Sequence, residues 1–542
     1  MVNVHEATAR ALRDNGVDTL FGLFGDANLF MVRSFAEDHG GRFVAAANEA
    51  GATLMAIGFA TTTGRLGVVS VTHGPGMTNA LTALVEGVKA QVPLLFLCGD
   101  TPADNPAHFQ NVSQREFILA TGAGFEQLRS PETLAEDLAT ALRRAQLERR
   151  PVALNMPAEF EWQDTQYEAA AVDVEPAVPK LQHDEQLDNA VGILASARSP
   201  IVLAGRGATT PEAEAALRRL AERSGALLAT TLKGKGLFRD DPFNLGVFGT
   251  LSTAVAGDLI MQSDCVIAFG ASLNRFTSAK GPYFEGKRII QCSLVPEWIG
   301  EHAAPDAALV GDPVDIAQTL LYWLDEAEIP PRGFRTDDAR QQLAAQDPFA
   351  DLAKTATDTT VDLTRSLLRI NAAVPENRIF ACDVGRYVGQ AWKAIDVPHP
   401  SAYIHTVHFG SIGLGLPCAL GASIAHPDRP ALVVTGDGGF MLGGLTEFHT
   451  AVREHADLIV VVCNDGGYGA ELVQFEARGL NPDLALFRWP EFADLANTLG
   501  GKGIAVRNET DLEVACAAIA TRRGPLLIDL KLDPQTMIPL DY

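Results

Sequence analysis

Leu432-Val433-Val434-Thr435-Gly436-Asp437-Gly438-Gly439-Phe440 reads as a buried strand ending in a glycine turn that carries one carboxylate. The next apolar run, Leu458-Ile459-Val460-Val461-Val462, leads into Asn464-Asp465-Gly466-Gly467-Tyr468-Gly469. Short continuous apolar runs separated by helical-period sequence indicate parallel strands covered by helices on both faces. From Asp437 to Asn464 is 27 positions, one helix plus one strand, so the two turns are expected to leave the same sheet edge as neighbours. Glycines after a strand let backbone N–H groups approach a phosphate, and the following helix offers its positive end. The Asp437 carboxylate, Asn464 amide oxygen and Gly466 carbonyl are oxygen donors of the kind Mg²⁺ takes beside a phosphate. A Gly-Asp-Gly-Gly turn alone is usually an ordinary strand-to-helix connection; Asn464 at this spacing makes the pair informative.

The same pattern stands 363 positions earlier, where Gly58 matches Gly421 and His73 matches Gly436. Gly67-Val68-Val69-Ser70-Val71 leads into His73-Gly74-Pro75-Gly76-Met77, and the strand after it ends at Cys98-Gly99-Asp100 as its counterpart ends at Cys463-Asn464-Asp465. Further runs, Pro200–Ala204 and Cys265–Phe269, lie between the repeats. Low-periodicity stretches from about residue 161 to 183 and from 329 to about 355 read as linkers. They divide the chain into blocks 1–165, 185–328 and 355–542, an α/β arrangement in which the first and third blocks are duplicates. A ligand is expected between the halves, beyond the strand C-termini.

Glu49 lies in Phe43-Val44-Ala45-Ala46-Ala47-Asn48-Glu49-Ala50-Gly51-Ala52, an acid at a strand-to-helix junction among small apolar residues. Helix capping explains it blandly: Asn48 as cap, Glu49 in the first turn. The repeat adds weight to a functional reading, because the same offset pairs Glu49 with Ile412 of Phe409-Gly410-Ser411-Ile412-Gly413.

The 542 residues include 43 basic and 67 acidic ones, a net charge of −24. That field disfavours nucleic acid and anionic membrane as partners, and a phosphate-bearing ligand needs a local counter-charge. Seven cysteines without a C-x-x-C pair are expected to be buried free thiols in a reducing compartment. No signal peptide and no apolar run of membrane-spanning length is visible, so the cytoplasm is the expected location.

In chain order, Gly16–Gly22, Asn48-Glu49, Gly74-Pro75-Gly76-Met77-Thr78-Asn79, Phe109-Gln110 and the Asp437–Asn464 pair resemble the thiamine diphosphate (ThDP) enzymes of the acetolactate synthase, benzaldehyde lyase and pyruvate decarboxylase group. The likeness covers nearly the whole chain and is nearest to acetolactate-synthase-like members. It implies a pyrimidine-binding domain at 1–165, a central domain at 185–328 and a diphosphate-binding domain at 355–542. It also implies a cofactor held between the first domain of one subunit and the third of another, hence a dimer at least, with a tetramer common. Glu49 would face the aminopyrimidine, where a carboxylic acid enables removal of the thiazolium proton, and Ile412 would prop the cofactor into its bent form. Gly385, Ser411, Gly436, Asp437, Gly438, Gly439, Asn464, Gly466, Gly467 and Tyr468 would line the diphosphate, with Mg²⁺ on Asp437, Asn464 and Gly466. The family usually shows two consecutive Asn; the second is Asp465 here, so metal ligation is assigned to Asn464. Asp383-Val384-Gly385 matches, whereas Arg386 and Tyr387 depart from the pattern.

Loops that resemble substrate-facing ones carry Asp26, His73 and Gln110, with Glu471 behind the metal loop. Gly270-Ala271-Ser272-Leu273-Asn274-Arg275-Phe276 replaces the stretch typical of the FAD site, so the resemblance does not carry FAD to this chain; an empty and a nucleotide-binding central domain both stay open. The function implied is ThDP- and Mg²⁺-dependent carbon–carbon lyase or carboligase chemistry on 2-oxo acids or 2-hydroxy ketones, with simple 2-oxo-acid decarboxylation as the alternative. A non-catalytic scaffold predicts loss of Glu49, Asp437 or Asn464, and all three are present. A nicotinamide dehydrogenase predicts a G-x-G-x-x-G turn with a distal acid, and no convincing one occurs.

Overall fold

The computed structural model describes residues 1–174, 177–331, 333–349 and 355–535; the last seven residues of the 355–542 block lie outside them. Among the described residues, three six-stranded sheets carry the fold. In the first, strands run in the order Arg42–Ala45, Thr19–Gly22, Gly67–Val71, Leu94–Asp100, Pro151–Pro157, Gly124–Gln127, all pairs parallel. In the third, the order is Tyr403–His405, Ile379–Cys382, Ala431–Gly436, Leu458–Asn464, Leu526–Lys531, Lys502–Val506. The two orders are the same permutation of the chain, as duplication requires.

Alternation along the first sheet shows why its strands are apolar throughout. Val69, Val71, Phe96 and Cys98 point into one core, while Val68, Leu95 and Leu97 point into another on the opposite face. With no solvent-facing side, neither set of alternate positions can be polar. The first of these cores runs on into the third sheet through Ile379, Val433, Val460 and Val462. Its middle is filled by two helices, Glu49–Thr63 and Gly415–Ala425. Both are apolar all round and buried over most of their length, as helices enclosed by protein must be.

By its contacts the chain divides into two compact units. One contains residues 1–175, 354–395 and 404–542, the two similar halves together. The other contains 176–353 and 396–403 and holds the central sheet, a parallel sheet in the order Asn244–Val247, Leu227–Thr230, Pro200–Ala204, Cys265–Phe269, Arg288–Ser293, Ala307–Val310. The Gly205-Arg206-Gly207 turn packs on Gly270: a Cβ on Gly205 would stand 2.3 Å from the Gly270 carbonyl oxygen. Its glycines serve the meeting of two adjacent strand ends. Among the described residues no helix is long and apolar enough to cross a membrane. All seven cysteines are free and six are buried.

Candidate functional site

Strands Ala431–Gly436 and Leu458–Asn464 pair in parallel with Gly436 opposite Cys463, so the two glycine turns do emerge side by side. Asp437 starts a helical turn and is 2% exposed. Its Oδ1 accepts from the Gly438 amide at 2.7 Å, and its Oδ2 accepts from the Gly467 amide at 3.0 Å and from Trp489 Nε1 at 2.9 Å. Burial pushes its carboxyl up to about 7, and the nearby Asp465 charge pushes the same way; the hydrogen bonds oppose them. A divalent cation would supply the missing positive charge.

Asn464 donates from its amide nitrogen to Asp529 Oδ1 at 2.9 Å, and Asp529 is held in turn by Lys531 Nζ at 2.7 Å. That chain turns the Asn464 amide oxygen toward the loop, where it accepts from the Gly466 amide at 3.2 Å. Gly466 has φ +73, a left-handed backbone that favours glycine. Its carbonyl accepts from the Phe487 amide at 2.7 Å, leaving a second lone pair for a cation. The cradle is tight. A Cβ on Gly438 would stand 2.5 Å from the Tyr468 ring and 3.8 Å from Ile412 Cδ1; one on Gly439 would stand 2.8 Å from Asp383 Oδ2. Ile412 and Tyr468 therefore sit over the Gly436–Gly439 turn. Ser411 donates locally to the Ile412 carbonyl, and Gly385 lies under the Tyr387 ring. The residues present fit a Mg²⁺–diphosphate group: mixed oxygen donors, bare glycine backbone and the buried Asp437 carboxylate.

Asp383 ties this cradle together. Fully buried at the end of strand Ile379–Cys382, it accepts from the amides of Val384 and Gly413 and from the Thr435 hydroxyl. Burial pushes its carboxyl up to about 6 against those hydrogen bonds.

The second cluster belongs to the first half. Glu49 opens its helix 6% exposed, and Oε2 accepts from Asn79 Nδ2 at 3.0 Å. The partner of the carboxyl is thus 30 positions away, at the end of the short helix Pro75–Asn79. Capping holds as well, for Asn48 accepts from the Gly51 amide at 2.7 Å. The Gly-Pro-Gly turn brings the other candidates near. His73 is buried, with Nε2 3.5 Å from Asp26 Oδ1 and its ring edge-on to His108 at 5.2 Å. Asp26 is exposed and accepts from the Thr72 hydroxyl at 3.0 Å. Gln110 meets the turn through its backbone, its carbonyl 2.4 Å from where a Gly74 Cβ would be. Among the described residues, His73 Nδ1 and Gln110 Oε1 are buried without a hydrogen-bond partner, and such atoms are costly unless something binds them. Glu471, by contrast, is exposed on the helix after Tyr468.

The seam between the halves was not read from sequence. Glu447, on the helix that follows the Asp437 turn, accepts from the amides of Ala47 and Asn48, just before Glu49. Reciprocally, Glu86 accepts from the amides of His408 and Phe409 and from His408 Nδ1 at 2.7 Å, just before Ser411 and Ile412. Both glutamates are at most 1% exposed. Each half thus fixes the other's functional loop.

Three family models match in order: the N-terminal TPP (thiamine pyrophosphate) binding domain over residues 2–119, the central domain over 187–320 and the C-terminal TPP binding domain over 383–530. A probable 2-ketoarginine decarboxylase AruI of Pseudomonas aeruginosa is 30% identical over 94% of this chain and 89% of its own. The chain belongs to the thiamine pyrophosphate enzymes. A probable acetolactate synthase large subunit of Methanocaldococcus jannaschii is 28% identical over 99% of this thiamine pyrophosphate enzyme and 93% of the relative. The acetolactate synthase isozyme 2 large subunit of Escherichia coli is 27% identical over 98% and 96%. These relatives put the enzyme in the acetolactate synthase group.

Proposed function

We propose that this enzyme is a ThDP- and Mg²⁺-dependent carboligase or lyase acting on 2-oxo acids or 2-hydroxy ketones, in the manner of an acetolactate synthase. The observation that carries the reading is the Asp437–Asn464–Gly466 cluster, oxygen donors on two neighbouring strand ends with a glycine cradle beside them. When bound, ThDP supplies a nucleophilic carbon and an electron sink next to a carbonyl.

The chain's own residues do the rest. Asp437, Asn464 and the Gly466 carbonyl would hold Mg²⁺, while Gly385, Ser411, Gly436, Gly438, Gly439, Gly467 and Tyr468 would line the diphosphate. Ile412 would prop the coenzyme from below. Glu49, held by Asn79, keeps a proton at the aminopyrimidine end. His73, backed by Asp26, moves protons to and from the substrate oxygen, and Gln110 orients it. The reading places the cofactor between the first domain of one subunit and the third of another in a dimer or tetramer. The blocks 1–165, 185–328 and 355–542 are its pyrimidine, central and diphosphate domains.

Simple 2-oxo-acid decarboxylation is the second reading, favoured by the relative named as a probable 2-ketoarginine decarboxylase. One experiment separates them: the Mg²⁺–ThDP-loaded protein is given pyruvate and a panel of 2-oxo acids, with CO₂ and products followed by NMR. A carbon–carbon-joined product supports carboligation, and free aldehyde alone supports decarboxylation. If no ThDP is retained by mass spectrometry in the presence of Mg²⁺, the proposal is wrong.

A further inference from the structure

Two of the three positions that depart from the sequence pattern around the cofactor turns, Arg386 and Asp465, face each other. Both side chains are buried, 5% and 8% exposed, with Arg386 Nη1 3.9 Å from Asp465 Oδ2. At that distance the attraction is Coulombic rather than a hydrogen bond, and out of water it is strong. Space for the approach is made by Gly469, where a Cβ would stand 2.4 Å from Asp465 Oδ2 and 2.9 Å from Arg386 Cδ. Arg386 Nη1 is also anchored on the Pro534 carbonyl at 2.9 Å, so the guanidinium is fixed rather than swinging. Asp465 adjoins Asn464, at the strand end that pairs beside the one leading into Asp437. Left alone, Asp465 would put a second negative charge into the turn that has to receive a diphosphate.

We propose that Arg386 is a positioning residue for the cofactor site that acts through Asp465: its guanidinium offsets the Asp465 charge, so that Asp465 does not add its negative charge to that of Asp437 beside Mg²⁺ and the diphosphate. This rests on the reading of Asp437, Asn464 and Gly466 as the Mg²⁺–ThDP turn.

The test is a double-mutant cycle on cofactor-stripped full-length protein, read as ThDP affinity at saturating Mg²⁺ from tryptophan fluorescence, since Trp489 touches Asp437. Arg386→Gln exposes the diphosphate to the bare Asp465 charge and weakens ThDP binding about tenfold. Adding Asp465→Asn removes that charge, so the double variant binds within about threefold of wild type, and Arg386→Lys does the same because it keeps the charge. A double variant as weak as Arg386→Gln overturns the proposal, because the arginine then acts without Asp465. Should Arg386→Gln fail to fold, the double variant still decides: folded and binding near wild type supports the pair, folded and weak overturns it, and a double variant that also fails to fold overturns it too, since a neutral pair should then have been tolerated. Wild-type protein that binds no Mg²⁺–ThDP refutes the underlying site reading instead, so the two failures are distinct.

Discussion

Gly58 and Gly421 occupy equivalent places on two crossing helices: a Cβ on Gly58 would stand 1.9 Å from the Cys418 carbonyl oxygen, and one on Gly421 would stand 1.9 Å from the Met55 carbonyl oxygen. Met55 to Cys418 and Gly58 to Gly421 are both steps of 363 positions, so the contact maps onto itself when the halves are exchanged. The backbones touch because neither position carries a side chain.

Alanine at either glycine must push the helices apart through the middle of the shared core. Each of Gly58→Ala and Gly421→Ala is expected to cost about 3 kcal/mol or more, with similar losses at the two sites. Gly192→Ala, on a helix position with open space around it, is the control and should be neutral or slightly stabilising. Melting temperatures of the three variants check this. Two core variants that melt like wild type would show that the helices do not meet as described.

Glu49→Gln keeps the shape and the Asn79 contact but cannot give up a proton. Exchange of the thiazolium C2 proton of bound ThDP, followed by NMR, should slow at least about a hundredfold while ThDP stays bound. Asn79→Ala, which only removes the partner that aims the carboxyl, should slow exchange by about tenfold. If Glu49→Gln exchanges at the wild-type rate, another group activates the cofactor.

The parts of this fold that were legible in the sequence are those settled by local chemistry. Strands such as Pro200–Ala204 and Cys265–Phe269 match their apolar runs residue for residue, because a strand covered on both faces has no polar positions. The Asp437 and Asn464 turns were readable because spacing alone makes them neighbours. What could not be read lies in long-range pairing: Trp489 on Asp437, Asp529 on Asn464, Glu447 on the loop before Glu49. Nothing in the sequence near Glu447 distinguishes it from a solvated helix acid. The helix Glu49–Thr63 likewise has no polar stripe to say which face meets its counterpart, since every face is covered. Asp383 stands in a recognisable Asp-Val-Gly motif, but its role as a three-way acceptor under the cradle depends on Gly413 and Thr435 from two other segments.

Asp383 gives the apo protein a pH signature. Its carboxyl is raised from 3.8 to about 6 by burial. Below the unfolded value the group is neutral in both states and its contribution to stability is whole. As pH rises through about 6 the folded protein has to hold a desolvated charge, and the contribution is lost. Asp383→Asn cannot ionise, so wild type's advantage over this variant should shrink between pH 4.5 and 7.5, by about 2 kcal/mol. Paired melting curves across that range measure it; an advantage that is flat or grows with pH contradicts the assignment.

Trp489 offers the most direct check on the metal turn. Its indole N–H donates to Asp437 Oδ2, the oxygen that also accepts from Gly467. Loss of that donor leaves the carboxylate less well supported in its buried setting, so Trp489→Phe should weaken Mg²⁺–ThDP binding by about tenfold. The same substitution should abolish most of the tryptophan fluorescence change on cofactor binding, whereas Trp162→Phe, whose indole packs on His5 and Phe30, should preserve it. Calorimetry measures the affinity independently of the fluorophore. A Trp489→Phe protein with wild-type affinity would mean that the cation does not depend on this carboxylate, and an undiminished fluorescence response would mean that the cofactor binds away from it.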